Sequence, residues 1–173
     1  MCSGSQIKEQ TPRRVGLSLG SNKGDRLALI ESACDRLCEV LGDLRVSLLY
    51  ETEPVDCPPG SPAYLNACVE ALTPLPPQEI LRSCQSIEQE LGRTRSGVYG
   101  EARTCDIDLL YCGDCVLNTP ELTLPHPRAH LRRFVLQPLS DIDRFLVLPG
   151  QTRSVAELLA QLPTEPRVIP FDL

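Results

Sequence analysis

Apolar positions along the chain repeat with two periods, and the points where the period changes mark out its elements. Val15-Gly-Leu-Ser-Leu19 alternates every second residue, the signature of a strand with one buried face, and runs into the turn-forming stretch Gly20-Ser-Asn-Lys-Gly24. From there the spacing lengthens. Leu27, Ile30, Ala33, Cys34, Leu37, Val40 and Leu41 recur every three or four positions, which predicts an amphipathic helix over 27–41, capped by Asp25 and stopped at Gly42. A second strand is predicted at 45–52, followed by a proline-dense loop, with Pro54, Cys57-Pro-Pro-Gly60 and Pro62, that cannot sit inside a sheet. A third strand at 64–72, a helix at 78–91 behind Pro74 to Pro77, and a strongly apolar strand at 105–112 complete the series.

Strand, helix, strand, strand, helix, strand is the order of an α+β, ferredoxin-like βαββαβ sandwich, with its helices against one face of the sheet. Beyond Gly113 the pattern weakens to short strand-like pieces near Cys115 and Leu122, a Pro125-His126-Pro127 turn, a helix at 132–139 and a short helix at 154–162 capped by Ser154. These C-terminal helices and short strands are expected to decorate the core, and the tail ending in Phe171-Asp-Leu173 has no readable pattern. Residues 1–14 are expected to be a flexible N-terminal extension, and 15–173 a single domain.

A length of 173 residues suits one domain with a substantial core. No apolar stretch approaches the length of a membrane span, and the first residues lack the apolar run of a secretory signal, so a cytoplasmic monomer without membrane partners is expected. Nine cysteines, an odd number at irregular spacing, then read as reduced thiols used as small core residues. A net charge of −6 argues against broad nucleic-acid binding. The basic residues are unusual in kind: Lys8 and Lys23 are the only lysines, whereas Arg93, Arg95, Arg103, Arg128, Arg132 and Arg133 gather in one stretch. Guanidinium forks bind phosphate oxygens at two points, so this cluster suggests a small phosphorylated ligand, with ordinary surface ion pairs as the equally open alternative.

Asp106-Ile-Asp108 opens the apolar strand, and residues two apart on a strand project to the same face. Two carboxylates side by side in a half-buried place favour a hard divalent cation between them, which makes Mg2+ the expected ligand; a solvated edge strand is the bland alternative. Arg93, Arg95 and Arg103 flank the pair, as phosphoryl chemistry would require and as plain salt bridges would also allow. The sequence holds neither GxxxxGK[ST] nor GxGxxG, so a nucleotide site must be assembled otherwise. Cys112-x2-Cys115 followed by His126-x3-His130 mimics a small zinc finger, but ten intervening residues are too few, and Pro125 and Pro127 bracket the first histidine where a finger needs helix.

Separated motifs in a fixed order give the chain a wider likeness: Leu19-Gly-Ser-Asn22, Tyr50-x-Thr52, Tyr64-Leu-Asn66, Ile87-Glu88 with Gly92-Arg-x-Arg95, Arg103-Thr-x-Asp-x-Asp108, Pro125-His126-Pro127 and Arg132-x-Phe134-Val-Leu. Together they resemble the 6-hydroxymethyl-7,8-dihydropterin pyrophosphokinases, from Val15 to the neighbourhood of Pro149. The resemblance implies transfer of the β,γ-diphosphate of ATP to 6-hydroxymethyl-7,8-dihydropterin, releasing AMP, in tetrahydrofolate biosynthesis. It implies that Asp106 and Asp108 hold two Mg2+ ions, with Arg93 and Arg103 beside the transferred group. Gln85, Glu88, Arg95, Leu109, Thr123, His126 and Arg132 fall on positions that contact ATP. Tyr64 and Phe134 match the aromatic pair around the pterin ring, Asn66 offers a donor and an acceptor to its edge, and Thr52, Pro54 and Val55 supply backbone groups. The stretch Val98-Tyr-Gly-Glu-Ala102 departs from the family pattern, which carries a Trp there, and leaves a role in closure open for Tyr99.

Overall fold

The computed structural model describes residues 11–92 and 104–173; the sites expected at Arg93, Arg95, Tyr99 and Arg103 lie outside the described residues. Its strands are β1 (Arg13–Ser21), β2 (Leu44–Val46), β3 (Tyr50–Thr52), β4 (Tyr64–Thr73), β5 (Asp106–Cys112), β6 (Leu117–Asn118), β7 (Thr123–Leu124) and β8 (Val168–Pro170). The helices are α1 (Arg26–Leu41), α2 (Pro77–Glu90), α3 (Arg133–Asp143) and α4 (Val155–Gln161). The main sheet runs β5-β1-β4-β3-β8, with β2 also paired to β4, and every pairing in it is antiparallel. Its first four members have the ferredoxin-like arrangement that the element order predicts. Among the described residues, no helix is long and apolar enough to cross a membrane.

Local signals set the helix ends. The Asp25 carboxylate accepts from the Ala28 N–H at 3.1 Å, and Gly42 closes α1 in the left-handed region at φ 86°. Pro77 opens α2, where its missing N–H costs nothing. Both helices lie on one face of the sheet, where Leu17, Leu19, Leu65, Val69, Ile107 and Leu109 meet Ile30, Leu37, Ile80 and Ile87 in a single core. A second core lies on the opposite face. There Cys68, Leu110 and Tyr111 pack against Val135, Leu136, Leu139 and Ile142 of α3, with Val155 of α4 outside them. The C-terminal helices therefore form a third layer, not a decoration, because the apolar stripe of α3 has a sheet face to bury.

A bulge makes that face possible. Gly16 pairs with Tyr111 but Leu17 pairs with Leu109, so Leu110 is an extra residue in β5. Leu110 and Tyr111 both join the α3 side, while Leu109 and Cys112 join the other. Tyr111 then crosses Gly16, where a Cβ would stand 2.2 Å from the ring. Its hydroxyl donates at 2.5 Å to the buried Glu70, which also accepts from Arg14 at 3.0 and 3.1 Å and from Arg45 at 3.3 Å. Arg14 continues to Asp143 at 3.0 Å, tying the end of α3 to the sheet. Burial pushes Asp143 upward, but its hydrogen bonds from Arg14 and the Phe145 N–H win and hold its carboxyl below the usual range.

The structure departs from the predicted elements in three further places. The strand expected at 45–52 is broken after Val46: the Ser47 hydroxyl accepts from the Cys68 N–H at 2.9 Å, and the Leu48 N–H turns to Asp141 of α3 at 3.2 Å. The tail expected to be patternless supplies β8, which pairs with β3 at the sheet edge. Arg13 and Arg14, assigned to the extension, belong to β1. All eight described cysteines are free thiols, and Cys68, Cys84, Cys105 and Cys112 are buried as small core residues.

Candidate active site

Where α3 leaves the second sheet face uncovered, β1, β4 and β5 present a row of even-numbered residues. Gly20 pairs with Asn66 on one side and Asp106 on the other, and Ser18 lies opposite Asp108. These residues floor a cavity of ≈ 370 Å³. Thr52 and the loop residues Glu53, Val55, Asp56 and Cys57 form one wall, and His126, Arg128, Arg132 and Phe134 another. Gly20 keeps the floor low, since a side chain there would project between Tyr64 and Asn66.

Asn66 and Tyr64 are held from behind. Asn66 is 3 % exposed and donates from Nδ2 to Thr52 Oγ1 at 2.8 Å and to Tyr50 O at 3.4 Å, which leaves Oδ1 on the side of Gly20. Tyr64 is fixed through the two residues before it. Asn22 donates to Pro62 O at 3.3 Å, and Arg26 donates to Ala63 O at 2.8 Å while pairing with Glu51 at 2.7 Å. The Gly20-Ser-Asn-Lys-Gly24 turn thus anchors the exit of the proline-dense loop.

Asp106 and Asp108 open to the same cavity, with Ile107 between them buried in the opposite core. β5 is at the edge of the sheet and Asp108 is exposed, as the bland alternative has it, but both carboxylates also line one cavity. Two hard oxygen donors at one cavity floor fit a divalent cation such as Mg2+. Across from them, the Arg132 guanidinium lies 5.5 Å from the Phe134 ring centroid, and Arg128 stands beside His126. His126 accepts from the Arg128 N–H through Nδ1 at 3.1 Å. Burial, reinforced by Arg132 and Arg128, pushes its pKa down to about 4, so the imidazole is neutral at neutral pH. The cavity therefore brings together carboxylates that suit cations, guanidinium groups that suit anions, and the aromatic pair Tyr64 and Phe134, which suits a flat apolar group.

Of the residues expected at the site, Thr52, Val55, Tyr64, Asn66, Asp106, Asp108, His126, Arg132 and Phe134 come together at the cavity. Pro54 sits between two lining residues without lining it. Leu109 requires correction: its side chain is 4 % exposed in the core beneath α1 and α2, on the far side of the sheet, so only its backbone could serve a ligand. Gln85 and Thr123 are exposed outside the cavity lining, and Glu88 is buried on α2. Sequence reasoning omitted Ser18, Gly20, Asp56, Cys57 and Arg128 from the site. Strand alternation from Leu19 signalled the first two, and the arginine cluster signalled the last. The zinc-finger-like set is split: Cys112 and Cys115 pack at the helix-side core, whereas His126 faces the cavity. Among the described residues, no three His, Cys, Asp or Glu side chains form a metal-holding group.

The chain matches the family model described as 7,8-dihydro-6-hydroxymethylpterin-pyrophosphokinase (HPPK) over residues 16–144. It is 46% identical over 137 residues to the 2-amino-4-hydroxy-6-hydroxymethyldihydropteridine pyrophosphokinase of Porphyromonas gingivalis, covering 76% of this chain and 92% of that protein. The enzyme of the same name from Mycobacterium leprae is 42% identical, with 88% of this chain and 85% of that protein covered. The folic acid synthesis protein fol1 of Schizosaccharomyces pombe is 39% identical over 91% of this chain, which spans only 22% of that longer protein. In structure the chain is similar to Plasmodium falciparum HPPK-DHPS, with a TM-score of 0.70 at 16% identity over 89% of this chain and 46% of that one. At that identity the likeness speaks to the ferredoxin-like fold.

Proposed function

Because this chain belongs to the 7,8-dihydro-6-hydroxymethylpterin-pyrophosphokinase family, we propose that it transfers the β,γ-diphosphate of ATP to the hydroxymethyl group of 6-hydroxymethyl-7,8-dihydropterin, releasing AMP, in tetrahydrofolate biosynthesis. The observation that carries this reading is that one cavity holds Asp106 and Asp108 together with Tyr64, Asn66 and Phe134.

Tyr64 and Phe134 clasp the pterin ring, and Asn66 Oδ1, with backbone groups of Thr52, Pro54 and Val55, reads its edge. This places the hydroxymethyl group over the floor at Gly20. Asp106 and Asp108 would hold two Mg2+ ions, which when bound would supply neutralisation of the phosphate charge during transfer from ATP. Arg132, Arg128 and neutral His126 take the phosphates, and Arg93, Arg95 and Arg103 join them by their positions in the family pattern. By their positions in the family pattern, Gln85, Thr123 and the backbone at Leu109 meet the nucleotide. Catalysis then consists of positioning and charge neutralisation, with no dedicated general base among the residues named.

Residues 15–173 act as one pyrophosphokinase domain, monomeric and cytoplasmic, with ATP and the dihydropterin as partners rather than nucleic acid or a membrane. The test is product analysis. ATP and hydroxymethyldihydropterin with Mg2+ are expected to give AMP and the pterin diphosphate in equal amounts; ADP as product, or no pterin-dependent turnover, would overturn the assignment.

A further inference from the structure

Resting on the reading of Asp106 and Asp108 as metal ligands, we infer that Glu88 is a positioning residue for that pair, acting through the backbone of Ile107 between them. Among the described residues β5 is the outer strand of the sheet, with β1 as its partner there. Backbone groups alternate in direction along such a strand, so the Ile107 N–H points outward while its neighbours Asp106 and Asp108 face β1 at Gly20 and Ser18. An outward N–H on an edge strand ordinarily goes to water. Here Ile107 is buried, and Glu88 Oε1 accepts from it at 2.8 Å, standing where the carbonyl of a further strand would stand.

Glu88 is 4 % exposed, an unusual burial for a carboxylate, and its place is set by the stripe of Ile80, Cys84 and Ile87 that seats α2 on the sheet. It does not line the cavity, and its contact with the Ile107 N–H reaches Asp106 and Asp108 through the strand. One hydrogen bond at the residue separating the two aspartates fixes the pleat there, and with it the direction of both side chains. Octahedral Mg2+ tolerates little error in ligand placement, which is why a group behind the ligands carries weight.

The test compares Glu88→Leu with Glu88→Gln in the whole protein. Leucine keeps the apolar fill and removes the acceptor; glutamine keeps an acceptor oxygen and removes the charge. Glu88→Leu is expected to raise the Mg2+ concentration for half-maximal turnover by about 10- to 100-fold, while the Kd for the dihydropterin stays put. Independently of turnover, amide hydrogen exchange at Ile107 is expected to accelerate, and Mn2+ binding in the presence of an unreactive ATP analogue, read by electron paramagnetic resonance, to weaken by the same factor. Glu88→Gln should restore all three. An unchanged Mg2+ requirement in Glu88→Leu, or a glutamine variant as impaired as the leucine one, overturns the inference. If the leucine variant does not fold, the glutamine variant decides: wild-type exchange at Ile107 and wild-type Mn2+ affinity support the role, and a tenfold loss of affinity overturns it. A wild-type enzyme that turns over without any divalent cation would instead sink the reading of the aspartates themselves.

Discussion

Asn66 and Thr52 are joined side chain to side chain, Nδ2 to Oγ1 at 2.8 Å, across the β3–β4 pair in a buried position. The bond decides which end of the amide meets the cavity. Replacing Thr52 by Val keeps the shape and removes the acceptor, leaving a buried N–H of Asn66 without its partner or free to turn. Thr52→Val is therefore expected to raise the KM for the pterin about tenfold, the equivalent of ~1.4 kcal/mol, with KM for ATP unchanged. Steady-state kinetics with each substrate varied in turn checks this.

Asp108 is exposed on the cavity floor, opposite Ser18. Asp108→Ala is expected to lower turnover at least about a thousandfold, a loss of ~4 kcal/mol of transition-state stabilisation. Because removing the carboxylate also relieves like-charge strain beside Asp106, the melting temperature should hardly fall. A variant with near-normal rates at saturating Mg2+ would defeat the metal-holding role.

Gly16 lies under the Tyr111 ring, which Glu70 holds by a hydrogen bond of 2.5 Å. The Cβ of an alanine at this position would meet Cε1 at 2.2 Å and Cζ at 2.4 Å. Since the ring is buried and bonded, it cannot swing aside without loss. Gly16→Ala is expected to destabilise by about 2 kcal/mol, seen as a lower denaturant midpoint, with the KM for the pterin unaffected because the clash lies under α3.

The buried, arginine-flanked His126 has its pKa pushed down to about 4 from an ordinary 6.5. Between those values the unfolded chain binds a proton that the folded one refuses, so stability rises with pH across the window. The contribution of neutral His126 is fully present above 6.5 and is lost as pH falls toward 4. His126→Gln should flatten the decline of stability over that window relative to the wild type. Parallel pH profiles for the two proteins would count against the lowered pKa.

The features legible in the sequence are those written in local spacing. Alternation along 105–112 placed Asp106 and Asp108 on one face, and the structure agrees, because a strand's period of two needs no distant partner. The same holds for the Asp25 and Ser154 caps, each set by a side chain reaching three residues ahead. Leu110 shows the limit, since alternation already puts Leu109 beside Ile107 on the far face. Nothing local to 105–112 announces the extra residue at Leu110, since the bulge follows from register against β1.

By itself, then, the sequence determined the βαββαβ order, the caps at Asp25 and Ser154 and the shared direction of the two aspartates, all of which depend on contacts a few residues apart, whereas the helix expected at 132–139 runs on to Asp143. Only the tertiary structure decided the rest. Asp141 breaks the strand after Val46 from nearly a hundred residues away, and β3 recruits residues 168–170 because its outer edge would otherwise lie unpaired. The cavity draws its floor from Ser18 and its rim from Phe134. Groups so far apart along the chain meet only because burying both sheet faces leaves them no other arrangement, and that constraint belongs to packing, which sequence spacing does not record.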